Sequence, residues 1–81
     1  MRFVKIGDTY FNPVKIECIE PRAIGTNPYE PYVYVCTTCQ SHGFNAHDLG
    51  FDIPVCTEKL VALGVADAMV ATVVDIVNEA L

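Results

Sequence analysis

Positive charge is scarce in this chain: five lysines and arginines stand against ten aspartates and glutamates among 81 residues, for a net charge of −5. Residues 1–22 hold Arg2, Lys5, Lys15 and Arg22, and residues 23–81 set seven acids against Lys59 alone. A phosphate backbone is bound by a basic face that displaces counterions, and four scattered cations and a lone lysine assemble no such face, so nucleic-acid binding is not expected. Gly7, Gly25, Gly43, Gly50 and Gly64 are isolated, which excludes a glycine-rich phosphate loop. No apolar export segment follows Met1, and the longest apolar stretch is interrupted by Asp67, Thr72 and Asp75. The expectation is a cytoplasmic protein with no membrane span. No catalytic set is fixed by spacing either. Ser41 and His42 are chain neighbours that rarely face one another, and Asp67 and Asp75 lie about 12 Å apart along a helix, too far to share a proton. The chain reads as no enzyme.

Apolar residues make up 52% of the chain and charged residues 19%, against about 45–50% and about 25% in an ordinary globular protein. A single domain of this length hides only roughly 60–65% of its unfolded surface and needs a staple or a partner. Homo-oligomerisation is therefore expected. Four cysteines in a reducing cytosol are more often core residues or metal ligands than disulfides, which ranks a Cys18–Cys36 bridge between neighbouring strands behind those readings.

Phe3–Ile6 reads as a strand, Gly7-Asp8-Thr9 as a turn, and Tyr10–Pro13 as the approach to a second strand over 14–20, with Val14, Ile16 and Cys18 on one face. "PRAIGTNPYEP" reads as an irregular, mobile loop because of its three prolines and its glycine. "YVYVCTTC" is the strongest strand, with Tyr32, Tyr34 and Cys36 on one face and Val33, Val35 and Thr37 on the other; both faces are candidates for burial. "QSHG" reads as a turn and 44–47 as a fourth strand, followed by a connector, "DLGFDIPVC", that either extends this strand or forms a short one of its own.

Thr57 reads as an N-cap, with Glu58 in the first helical turn. Gly64 either ends a short helix over 58–63 or kinks a continuous one. From Val65 onward Met69, Val70, Val73, Val74, Ile76, Val77 and Leu81 spread over more than half the helix circumference, whereas a helix on one sheet needs a stripe of about 100°. That surplus predicts a subunit interface. The fold class is thus α+β: a small antiparallel meander of about four strands over 2–56, with a C-terminal helix or kinked helix pair over 57–80 on one face, all in a single domain, 1–81.

Cys36, Cys39, His42 and His47 supply the count and types of a tetrahedral zinc site, with Cys56 as a fifth candidate. In a continuous strand Cys36 and Cys39 point to opposite faces, and chelation needs a turn at Thr37-Thr38, where neither glycine nor proline helps. The hairpin reading therefore outweighs the zinc-stabilised module, and no cofactor is expected. A thioredoxin-like role for the same cysteines lacks a following helix N-terminus. Tyr29, Tyr32 and Tyr34 offer rigid amphipathic area suited to core packing, to a protein partner, or to a nucleotide-like small molecule with Arg22 as the nearby cation.

The stretch "FVKIGDTYFNPVKIECIEP", followed after a hairpin by "FDIPVCTEKLVAL", resembles the small flagellar-locus proteins of the FlbD (swarming motility) type. It is also similar to short phage and prophage accessory proteins that begin with a "VKIGDTYFNP"-like stretch. Phe11, Asn12, Pro13, Ile16, Ile19, Glu20, Val55, Thr57 and Glu58 carry the likeness. The proline-rich segment 21–31 and a longer helix set this chain apart. The resemblance implies a β-meander with a helix and no catalytic residues, and with the apolar helix it leads to the expectation of a non-enzymatic, oligomeric interaction module acting on a host protein.

Overall fold

The computed structural model describes residues 2–52 and 55–81. Val4–Ile6 (β1) and Thr9–Phe11 (β2) form an antiparallel hairpin with Ile6 opposite Thr9 and Val4 opposite Phe11. Its reversal requires glycine twice over: Gly7 has φ +60°, and a Cβ there would sit 2.9 Å from the Phe44 ring. Thr9 thus belongs to a strand rather than to the turn. Asn12 then caps a 3₁₀ turn, Pro13–Lys15, by accepting a 3.2 Å hydrogen bond from the Val14 N–H, with proline at the position where no donor is needed.

The strand expected from Val14 therefore starts at Ile16. Ile16–Ile24 (β3), Glu30–Thr37 (β4) and Ser41–Asn45 (β5) form a second antiparallel sheet in the order β3-β4-β5. Ile16 lies opposite Thr37 and Cys18 opposite Cys36, so Glu17 is an extra residue and β3 carries a bulge. The bulge breaks the expected alternation. Ile16 and Ile19 pack on the core, Val14 is exposed, and Cys18 turns to the other side of the sheet.

The proline-rich stretch is mostly strand, not loop. β3 continues through Pro21 to Ile24 because it is an edge strand, where proline is tolerated, and Pro31 sits near the start of β4, buried and opposite Ala23. Only residues 25–29 connect the two strands. The β4–β5 turn also falls elsewhere than expected, at Thr37–Gln40. The Thr37 N–H donates to the Gln40 carbonyl at 2.9 Å, and the Thr37 hydroxyl oxygen accepts from the N–H groups of Cys39 and Gln40, both at 3.3 Å. A threonine side chain does here what glycine was expected to do three residues later.

After β5, Asn45 and Asp48 exchange side-chain to backbone hydrogen bonds of 3.0 and 2.8 Å around a 3₁₀ turn, His47–Leu49. His47 is thus not in a strand. Part of the following connector, residues 53–54, lies outside the described residues; beyond it Cys56 forms a single bridge to Tyr29, the Tyr29 N–H donating to the Cys56 carbonyl at 2.7 Å.

Lys59–Ala80 (α1) is one unbroken helix of 22 residues. It passes through Gly64 without stopping, and its cap position falls at Glu58 rather than Thr57, with no capping bond from that side chain. Ala62, Ala66, Met69, Val73 and Val77 are its buried residues, a single stripe at three- and four-residue spacing. The last three join Val4 and Ile6 of β1, Phe11 of β2, Val33 and Val35 of β4, and Phe44 and Ala46 in one core. The architecture is α+β, with five strands in two antiparallel sheets and one α-helix packed on the larger sheet among the described residues. By length and composition α1 also suffices to cross a bilayer, the three polar interruptions notwithstanding; in this fold its buried stripe lies against the strands.

Candidate functional site

The helix and the β1–β2 hairpin occupy one side of the three-stranded sheet, the side onto which Val33, Val35 and Phe44 point. Strand alternation then directs Tyr32, Tyr34 and Cys36 of β4 to the opposite side, where they are half-buried. Cross-strand pairing sets Arg22 beside Tyr32, Glu20 beside Tyr34, and Cys18 and Ser41 on either side of Cys36. Gly43 lies opposite Tyr34, and a Cβ at Gly43 would meet the Tyr34 ring at 3.0 Å and the Tyr32 ring at 3.4 Å. The two tyrosines therefore lie down over the glycine, their centroids 6.2 Å apart. They cover a gap that any other residue would fill.

Beside them Arg22 donates a 2.7 Å hydrogen bond to the Glu20 carboxylate, and its guanidinium lies 5.9 Å from the centre of the Tyr34 ring. Glu20, Arg22, Ala23, Ile24, Tyr34, Cys36 and Ser41 line an open cleft of about 440 Å³. The expected ligand-contact residues are thus partly gathered: Tyr32, Tyr34 and Arg22 share this face, whereas Tyr29 lies at the tip of the β3–β4 hairpin beside Cys56. Arg22 as the cation for an anionic ligand already has a carboxylate on it, an exposed pair worth about 0–1 kcal/mol.

The Cys/His set is dispersed. Cys36 is on the open side of the sheet, Cys39 is exposed in the turn, and His42 lies opposite Val35 with its ring edge-on to Phe11 at 5.0 Å. His47 is exposed in the 3₁₀ turn after β5. Among the described residues no three histidine, cysteine or acidic side chains converge on one point. The signal that separates them was a turn built by Thr37, which moves His42 into β5 and to the sheet face away from Cys36.

Cys18 and Cys36 do meet. They are directly opposed across β3 and β4, and the Ser41 hydroxyl donates to the Cys36 Sγ at 3.5 Å. The hydrogen bond to Cys36, with partial desolvation and the Cys36 and Glu20 charges, pushes the Cys18 thiol up to about 11.

The predicted interface residues divide. Met69, Val73 and Val77 are consumed in the chain's own core, and Val70 and Ile76 pack half-buried against it, so they do not form a free surface. Val74 and the exposed Leu81 line a shallow cleft with Pro13, Ile16 and Ile19. The apolar area that α1 leaves open lies elsewhere, at Leu60 and Val61, 81% and 50% exposed, continuing along the exposed Gly64, Ala68 and Ala71. No family model, curated protein or solved structure matches the chain.

Proposed function

We propose that this chain is a non-enzymatic, self-associating protein-interaction module, of the accessory kind that phages and mobile elements use to act on a host protein. The observation that carries the reading is the outer side of α1. Leu60, Val61, Gly64, Ala68 and Ala71 fall within about 100° of the helix circumference, exposed and uncharged, with Asp67 at the border and Asp75 ending the strip one turn beyond Ala71. Small residues there let a second helix approach closely, and an 81-residue fold gains from burying such a strip. The aromatic side of the sheet is a separate surface on the far side of the molecule, and Tyr32 and Tyr34 suit it to the protein partner. Phage or mobile-element origin rests on the resemblance of residues 3–21 and 51–63 alone.

Sedimentation velocity from low to high micromolar concentration tests the self-association. The native chain is expected to shift to a dimer, and Ala68→Glu, which places a charge on the helix side exposed in the monomer, to remain monomeric. Tyr32→Ala with Tyr34→Ala should leave the dimer intact. A native chain that is strictly monomeric at high micromolar concentration overturns the reading.

A further inference from the structure

The cross-strand cysteines form a site of their own. Directly opposed residues of an antiparallel pair hold their Cα atoms about 4.5 or 5.5 Å apart, and disulfides span about 4.4–6.8 Å. Cys18 and Cys36 have that relationship, and Cys36 lines the open cleft on the side of the sheet away from the core. Their closeness follows from the bulge: were Glu17 paired as in a regular strand, Cys18 would fall opposite Val35 and point into the core with Ile16. Cys39 and Cys56 are not so placed; the first is exposed in the β4–β5 turn and the second is buried beside Tyr29.

We propose that Cys18 and Cys36 are a dithiol modification site that small disulfides of the glutathione class convert to an intramolecular bridge across β3 and β4. The Cys36 sulfur accepts the Ser41 hydroxyl, which favours its thiolate as the first nucleophile, and the directly opposed Cys18 resolves. The Cys36 thiolate attacks one sulfur of glutathione disulfide, the S–S bond breaks, and one glutathione thiolate leaves and takes a proton. Cys18 then gives its proton to solvent and attacks the Cys36 sulfur, displacing the second glutathione. Two protein thiols and one glutathione disulfide become one protein disulfide and two glutathione thiols. The pairing register opposes the two residues directly, which is the relationship such a bridge spans.

Full-length protein, reduced and then freed of reductant, is incubated with glutathione disulfide at mildly alkaline pH, acid-quenched, alkylated and measured by intact mass and peptide mapping. The expected product carries two fewer alkyl groups than the reduced chain treated in the same way, with Cys18 joined to Cys36 by a bond that dithiothreitol opens. Cys18→Ser should instead retain one glutathione on Cys36. Bridging should be roughly tenfold or more faster in native buffer than in denaturing urea, where strand pairing no longer holds the thiols together. A bridge mapping to Cys39 or Cys56, glutathione retained on both Cys18 and Cys36, an equal rate in urea, or no reaction would each overturn the assignment.

Discussion

Replacing Gly64 by alanine adds one methyl group to the exposed side of α1, where an added Cβ meets no atom within 4 Å. The helix is continuous on both sides of this position, so the substitution removes only the conformational freedom that glycine gives the unfolded chain. Alanine is favoured over glycine in a helix interior by about 0.8–1.0 kcal/mol. A chain of this length has a total stability of about 4–12 kcal/mol, so the gain is a measurable fraction, equivalent to a rise in Tm of about 4–8 °C. Urea unfolding followed by circular dichroism, at a concentration low enough to keep the chain monomeric, should show a higher midpoint with an unchanged slope. At high concentration the same methyl should weaken association, because it stands on the side of α1 proposed to receive a second helix. An unchanged or lowered midpoint in the monomer would refute the continuous, unstrained helix and restore a break at Gly64.

Met69→Ala empties a fully buried position in the middle of the core and should cost about 2–5 kcal/mol. Leu60→Ala, on the exposed first turn, should stay within about 0.5 kcal/mol in the same monomer titration. Equal costs for the two would mean that α1 presents a different side to the sheet. The Cys18 proton supplies a pH dependence: the folded chain holds it to about pH 11, whereas an ordinary thiol releases it near 9.0. Between those values the folded state binds more protons than the unfolded one. Its contribution is complete below pH 9 and is lost as the pH rises through 11. Urea midpoints of the native chain should therefore fall more steeply over that interval than those of Cys18→Ser, and parallel curves would remove the thiol pair as the cause.

The parts of the fold legible in the sequence were those with a strong local period. Val33 and Val35 alternate with Tyr32 and Tyr34 through β-branched and aromatic residues, and the two sets do face opposite sides of the sheet. The helix was legible as an element but its buried side was not. Nearly every position of α1 is apolar or small, so periodicity alone did not distinguish Met69, Val73 and Val77, which pack on strands, from Val74 and Leu81. Pro21 and Pro31 misled because proline punctuates most chains; an edge position for β3 and a place near the start of β4 admit them here. At the open sheet face, Tyr32, Tyr34 and Arg22 were found as a group. The Cys18–Cys36 pair ranks low on the sequence because cysteines in a reducing cytosol are more often core residues or metal ligands, and the one-residue bulge that opposes them carries no sequence signature comparable to a period.

The core joins the two ends of the described chain, Val4 and Ile6 of β1 meeting Met69, Val73 and Val77 of α1. Closing it means bringing together residues about 70 positions apart, the slow kind of contact in folding kinetics. During synthesis the sheet, complete at Asn45, is made before the helix that covers it, which begins at Lys59. Until α1 arrives, Val33, Val35 and Phe44 have only the small β1–β2 hairpin over them, and the nascent chain presents a sticky half-built face to its surroundings. The helix therefore acts as the last-made lid of the domain, and a ribosome stalled within residues 59–80 would release a chain more prone to clump than to fold.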